Sequence, residues 1–184
     1  MKMIPMGYML KRVAPLPDWL GVASVECIHA VSSCISEDFM DYINLWKHNG
    51  WWLFDNPSIL KTIAEEHQID MNALTLFYYE AFENEYDEKV GKWRPITPEP
   101  GAATNIDVPA TKTLNGYDVV TFFAQNAPEC SPLSCNGVAR ELTTNRRCLF
   151  DEFAAAYESL EQGKFNNSEP GPYRIFAVYM VEAF

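Results

Sequence analysis

Residues 126–148 crowd three cysteines, two serines and three arginines into one stretch, and their spacing is that of a helix start. Ser131-Pro132 reads as N-cap and first helical residue. The hydroxyl can accept an orphan amide, and proline at N1 gives up no hydrogen bond. Cys135, Val138, Ala139 and Leu142 follow at i, i+3, i+4 and i+7, one apolar stripe. In that register Cys130 lies just before the cap and Cys135 is the fourth helical residue, the two positions that touch in a hydrophobic staple.

Three chemistries compete for these thiols. In the first, Cys130 and Cys135 are small buried hydrophobes that clamp the start of the helix. In the second, Cys130 is a thiolate nucleophile at a helix N-terminus, with Cys135 as its resolving partner. Arg140, Arg146 and Arg147 would then add positive charge and a histidine would act as base. Ser131, Ser134, Asn136 and Arg140 would hold an anion or ligand. In the third, Cys130, Cys135 and Cys148 bind structural zinc, with a fourth ligand from Cys27, Cys34 or a histidine. The C-x4-C spacing suits zinc, but no second close pair of ligands accompanies it, so a metal is not the favoured reading. Asn136-Gly137 falls inside the expected helix, where glycine costs about 1 kcal/mol against alanine. That local conflict marks where function is expected.

The elements that must carry this stretch follow from periodicity. Met6 to Val13 reads as a first strand and Val22 to Val31 as a second, with His29 on the face of Val25, Cys27 and Val31. Ser36-Glu37-Asp38 opens a helix with Phe39, Ile43 and Trp46 inward, stapled by Ile35 and Met40 and ended by Asn49-Gly50. Trp51 and Trp52 follow, adjacent and therefore facing opposite ways in an extended segment; one of them, with Trp46 and His48, is a candidate groove lining. Asn56-Pro57 starts a helix with Leu60, Ile63, Ala64 and His67 inward. Leu74 to Phe82 and Tyr173 to Val181 are apolar on both faces and read as interior strands. Gly116 to Gln125 is a further strand, and Asp151 caps a helix with Phe153, Ala156, Tyr157 and Leu160 inward.

Residues 1–184 are expected to form a single domain of the α/β (α+β) class, a mixed sheet with helices packed on it. Residues 91–113, rich in proline and threonine, would join halves 1–90 and 114–184. Leu53-Phe54-Asp55 matches Leu149-Phe150-Asp151, and Glu80-Ala81-Phe82 matches Glu182-Ala183-Phe184, in the same order, so the halves read as one β-α-α-β unit used twice.

A net charge of −11 argues against nucleic acid, whose phosphates need a basic footprint, and against anionic membrane surfaces. No apolar run is long enough to span a bilayer, and five cysteines without a secretion signal point to a reducing cytoplasm. Phosphate loop, dinucleotide fingerprint, zinc-protease and EF-hand signatures are absent, so no cofactor is called for. The leading expectation is therefore a small acidic cytoplasmic binding protein, of inhibitor, immunity or adaptor type. It would meet a basic partner through Trp51, Trp52, Glu83, Glu85, Asp87 and Glu88. A thiol enzyme or redox protein using Cys130 is the alternative, and structural zinc the second.

Overall fold

The computed structural model describes residues 1–39, 49–97, 105–123 and 127–182. Its frame is an antiparallel sheet. The order runs β4 (Glu37–Asp38), β1 (Met3–Arg12), β5 (Thr75–Asp87), β8 (Tyr173–Met180), β7 (Thr113–Thr121), and β6 (Lys92–Pro95) adds to the far end of β5. The chain is thus α+β, and every ladder among the described residues is antiparallel. The two aromatic runs lie at the centre, with Tyr79 opposite Val178 and Glu80 opposite Ala177. Both faces of the sheet are covered: Val119 and Val120, like Ile175 and Phe176, are neighbours that pack into different apolar clusters. That covering explains why these strands carry no polar alternation. Among the described residues no helix is long and apolar enough to cross a membrane.

Helix α1 (Pro57–Glu66) begins as its residues require: Asn56 Oδ1 accepts from Ile59 N at 3.2 Å, and Leu60, Ile63 and Ala64 are buried. His67 closes the helix and is exposed rather than inward. Helix α3 (Phe153–Glu161) starts without a side-chain cap, because Asp151 Oδ1 accepts from Asn145 Nδ2 at 3.1 Å instead. Helix α2 (Pro132–Cys135) is a single turn, ended where Gly137 takes a left-handed backbone; a 3-10 turn, Val138–Arg140, follows. The conflict at Asn136-Gly137 therefore resolves by breaking the expected helix.

Two further expectations are corrected. Val22 to Val31 is not a strand: only β3 (Cys27–Ile28) pairs, with β2 (Ala14–Pro15). The backbone there bonds to a distant turn instead, Glu26 N to Arg146 O at 2.7 Å and His29 N to Arg147 O at 3.1 Å. Glu37 and Asp38 extend beside β1 rather than opening a helix; the rest of that helix, with Met40, Ile43, Trp46 and His48, lies outside the described residues. The 91–113 connector contains β6, whose Trp93 stacks on Tyr157 at 4.5 Å.

One turn is built twice. Tyr8 and Phe54 exchange backbone bonds at 2.8 and 3.2 Å, as do Tyr117 and Phe150 at 2.8 and 2.9 Å. Asn49 donates to Met6 O at 2.8 Å and accepts from Trp51 and Leu53; Asn145 donates to Asn115 O at 2.9 Å and accepts from Arg147 and Leu149. Trp52 and Cys148 both take positive φ at the same place in the turn.

Candidate thiol centre

The third cysteine of the site comes from the other end of the chain. The sulfurs of Cys34, Cys130 and Cys135 all lie within 4.8 Å of one another. Cys34 is exposed, Cys135 half-buried and Cys130 buried. Cys148 is not in the group. It sits in the core beside Phe150 in a positive-φ turn, where burial pushes its thiol up to about 12. Cys27 is half-buried beside Arg146 and Arg147, and burial raises its thiol too.

Each sulfur is positioned by backbone. Cys130 bridges to the end of β7, with Thr121 N donating to Cys130 O at 2.8 Å and Glu129 N to Thr121 O at 3.1 Å. The turn of α2 then brings Cys135 back over Cys130, the staple contact that the register predicts. Residues 30–32, just before Cys34, are held from beneath. The buried Lys11 ammonium donates to the carbonyls of Ala30, Val31 and Ser32 at 2.9, 2.5 and 2.9 Å. Val31 N donates to Asp118 Oδ2 at 2.8 Å, and Ser32 N to Ser131 Oγ at 3.2 Å. Ser131 Oγ donates to Asp118 Oδ2 at 2.6 Å and so does not cap α2, since a buried carboxylate outcompetes a helix amide as a partner. A chain of contacts thus runs from Asp118 through Ser131 and Ser32 to Cys135, whose sulfur lies 3.7 Å from Ser32 Oγ.

The three thiols do not share protons evenly. Cys34 donates to Glu129 O at 3.1 Å and Cys130 to Asn136 Oδ1 at 3.4 Å. Once a proton leaves, hydrogen bonds from Cys130, Cys135 and Ser32 hold Cys34 well below the ordinary thiol range, while Cys130 is pushed far up. Three sulfurs this close cannot all ionise without a cation among them. Exposure and these bonds favour Cys34 over Cys130 as the thiolate.

The other expected site residues are placed elsewhere or given other work. Arg140 donates to the Leu20 carbonyl at 3.1 Å and to that of Trp19, and Arg146 pairs with Glu26 at 3.5 Å. Ser134 Oγ donates to Ser131 O at 3.2 Å, and Asn136 Oδ1 also accepts from Glu169 N at 3.2 Å. One helical turn carries little dipole, so charge from α2 is not what activates a thiol here. His29 is buried with Nδ1 3.1 Å from Asn115 Nδ2; burial first, then Arg147, lowers it to about 4, which leaves it neutral. Among the described residues no histidine joins the sulfurs.

The acidic surface expected for a partner is largely engaged within the chain. Trp51 is buried and Trp52 half-buried. Glu85 is buried between Arg94 at 2.8 Å and Arg174 at 2.9 Å. Asp87 meets Arg94 at 3.2 Å, Glu83 meets Lys2 at 3.5 Å, and Glu88 accepts from Gly171 N at 3.0 Å.

Sequence reasoning placed Cys34 only as one option for a fourth ligand and missed Lys11 and Asp118. Asp118 carried a signal, as the one charged residue between Tyr117 and Val119 in a buried strand, whereas Lys11, next to Arg12 at the end of β1, carried none.

Asp118 gives the centre a pH dependence. Burial raises its carboxyl from 3.8 to about 6, against the lowering effects of Ser131, Val31 and Lys11. The folded chain then binds this proton more tightly than the unfolded one. Its contribution to stability is full below about 3.8 and is lost as pH rises through about 6. Asp118→Asn keeps an acceptor for Ser131 and removes the titration. Urea midpoints should fall for the wild type between pH of about 4 and 6 and stay flatter for the variant; parallel curves would contradict this.

No family model, curated protein or solved structure matches the chain.

Proposed function

We propose that this chain is a metal-binding protein whose Cys34, Cys130 and Cys135 take one soft cation, Zn²⁺ being the probe of choice. The observation that carries this is the gathering of three sulfurs within 4.8 Å from segments almost a hundred residues apart. A packing role gives no reason for the third sulfur, which is exposed and comes from a separate segment. Tetrahedral zinc–thiolate bonds of about 2.3 Å set the sulfurs about 3.8 Å apart, so closing onto the ion needs a shift of about 1 Å. The cation removes the repulsion that keeps Cys130 and Cys135 protonated, and binding releases their protons. Three protein ligands leave one position for water or a further ligand. Reduced thiols fit a cytoplasmic setting, where the thiol pool keeps cysteines unpaired.

Reduced, metal-free protein should bind one Zn²⁺ per chain by native mass spectrometry and show thiolate-to-metal charge-transfer absorption with Co²⁺. Cys34→Ser should weaken binding by about 100-fold or more, because a hydroxyl is a poor ligand for soft ions. Equal binding by wild type and the Cys34→Ser/Cys130→Ser/Cys135→Ser variant would end this reading.

We also infer that the two halves are copies of one unit. Support comes from the two matching turns, the Leu-Phe-Asp tripeptides within them, and the helices and central strands that follow each in the same order. The Glu-Ala-Phe pair adds nothing, since residues 183 and 184 lie outside the described residues. On this reading the thiol centre bridges the copies, with Cys34 from one and Cys130 and Cys135 from the other.

A further inference from the structure

We propose that the metal-free protein reduces hydroperoxides, with Cys34 as the attacking thiol and Cys135 as the resolving one. The proposal uses the same three sulfurs as the metal reading but needs no metal. It goes beyond that reading, because a site built only to hold an ion gains nothing from presenting one ligand to solvent.

Four observations carry it. Cys34 is exposed, so a small oxidant can reach its sulfur, whereas Cys130 is buried. Cys135 is half-buried and within 4.8 Å of Cys34, a separation that a modest side-chain movement closes. Ser32 Oγ lies 3.7 Å from Cys135 Sγ, so a hydroxyl stands beside the resolving sulfur. Residues 30–32 are pinned by Lys11, Asp118 and Ser131, so the attacking sulfur stands two residues beyond a fixed stretch of backbone.

The Cys34 thiolate attacks one oxygen of R–O–O–H, an S–O bond forms, the O–O bond breaks, and its electron pair leaves on RO⁻. A proton from water or from Cys130 converts RO⁻ to the alcohol, and Cys34 becomes a sulfenic acid. Cys135 sulfur then attacks Cys34 sulfur. The S–S bond forms, the S–O bond breaks, and the departing hydroxide leaves as water with the proton of Cys135. The peroxide has gained two electrons and the thiol pair has lost them. An external dithiol restores both thiols by exchange.

The test uses reduced full-length protein stripped with a chelator, treated with one equivalent of cumene hydroperoxide and mapped by mass spectrometry with and without dimedone. Wild type should form a Cys34–Cys135 disulfide. Cys135→Ser should instead trap sulfenic acid at Cys34, and Cys34→Ser should lose the reaction. Circular dichroism and melting of each variant confirm folding. If Cys34→Ser does not fold, the wild-type map alone decides. First oxidation at a cysteine other than Cys34, or a disulfide that omits Cys135, would overturn the proposal. Zinc titration of unoxidised protein is read separately, so failure of the metal reading and failure of this one are distinguishable.

Discussion

Glu85→Ala is expected to lower the free energy of unfolding by about 3–5 kcal/mol, the usual cost of removing one partner from a buried ion pair. The reason lies in Arg174. Its side chain is 4 % exposed, its Nε donates to Glu85 Oε2 at 2.9 Å, and its guanidinium lies 3.9 Å over the Phe122 ring. Burial already lowers the pKa of this arginine, and the Glu85 carboxylate acts against that. Without Glu85, a charge that cannot be shed stays among aromatic rings and the end of β7. Two controls separate this account from simple loss of packing. Arg94→Ala removes the half-exposed partner of Glu85 and should cost no more than about 1 kcal/mol. The double variant Glu85→Leu/Arg174→Met, which removes both charges, should recover most of the loss. Urea unfolding of the four proteins checks the set, and a double variant as unstable as Glu85→Ala would refute it.

That same pair shows why the acidic stretch after Phe82 misleads when read from sequence. Glu83, Glu85, Asp87 and Glu88 look like a solvated run, yet alternation along β5 turns Glu85 inward, and a cation 89 residues later receives it. The central strands themselves were legible, because an aromatic run apolar on both faces has few other places in a fold. Helix α1 was legible too, from Asn56-Pro57 and its inward stripe. What failed was decided by partners distant in sequence. Val22 to Val31 has the composition of a strand, but the Arg146 and Arg147 carbonyls take its amides. Ser131 has every local mark of a helix cap, but Asp118 takes its hydroxyl. The spacing of Cys130 and Cys135 predicted their contact correctly, because five residues of one turn determine it. No spacing rule reaches Cys34, which arrives on a segment that the Lys11 ammonium holds against β1.

Gly7→Ala and Gly116→Ala should each lower stability by about 2–6 kcal/mol, adding 1–3 for backbone strain to 1–3 for overpacking. A methyl carbon at Gly7 would lie 2.6 Å from Phe54 O, and one at Gly116 2.6 Å from Phe150 O, with asparagine amides at 2.8 and 2.9 Å beyond. The two carbonyls are backbone and cannot swing aside, since each accepts from the residue after the glycine. Both glycines also sit at φ of +126° and +140°, where other residues are strained. Gly91→Ala isolates the second effect: its φ is +63° but the nearest atom to an added carbon is 3.8 Å away, so about 1–3 kcal/mol is expected. The two large effects need not be equal in consequence. Gly116 stands two residues before Asp118, which anchors Val31 and Ser131, so Gly116→Ala should also weaken Zn²⁺ binding in whatever fraction remains folded. Gly7 has no such neighbour on the thiol side, and Gly7→Ala should melt early while its folded fraction binds zinc as the wild type does. Thermal melts paired with zinc titration below each midpoint decide this. Equal zinc affinities for the two variants would mean that the β7 turn does not hold the thiol centre in place.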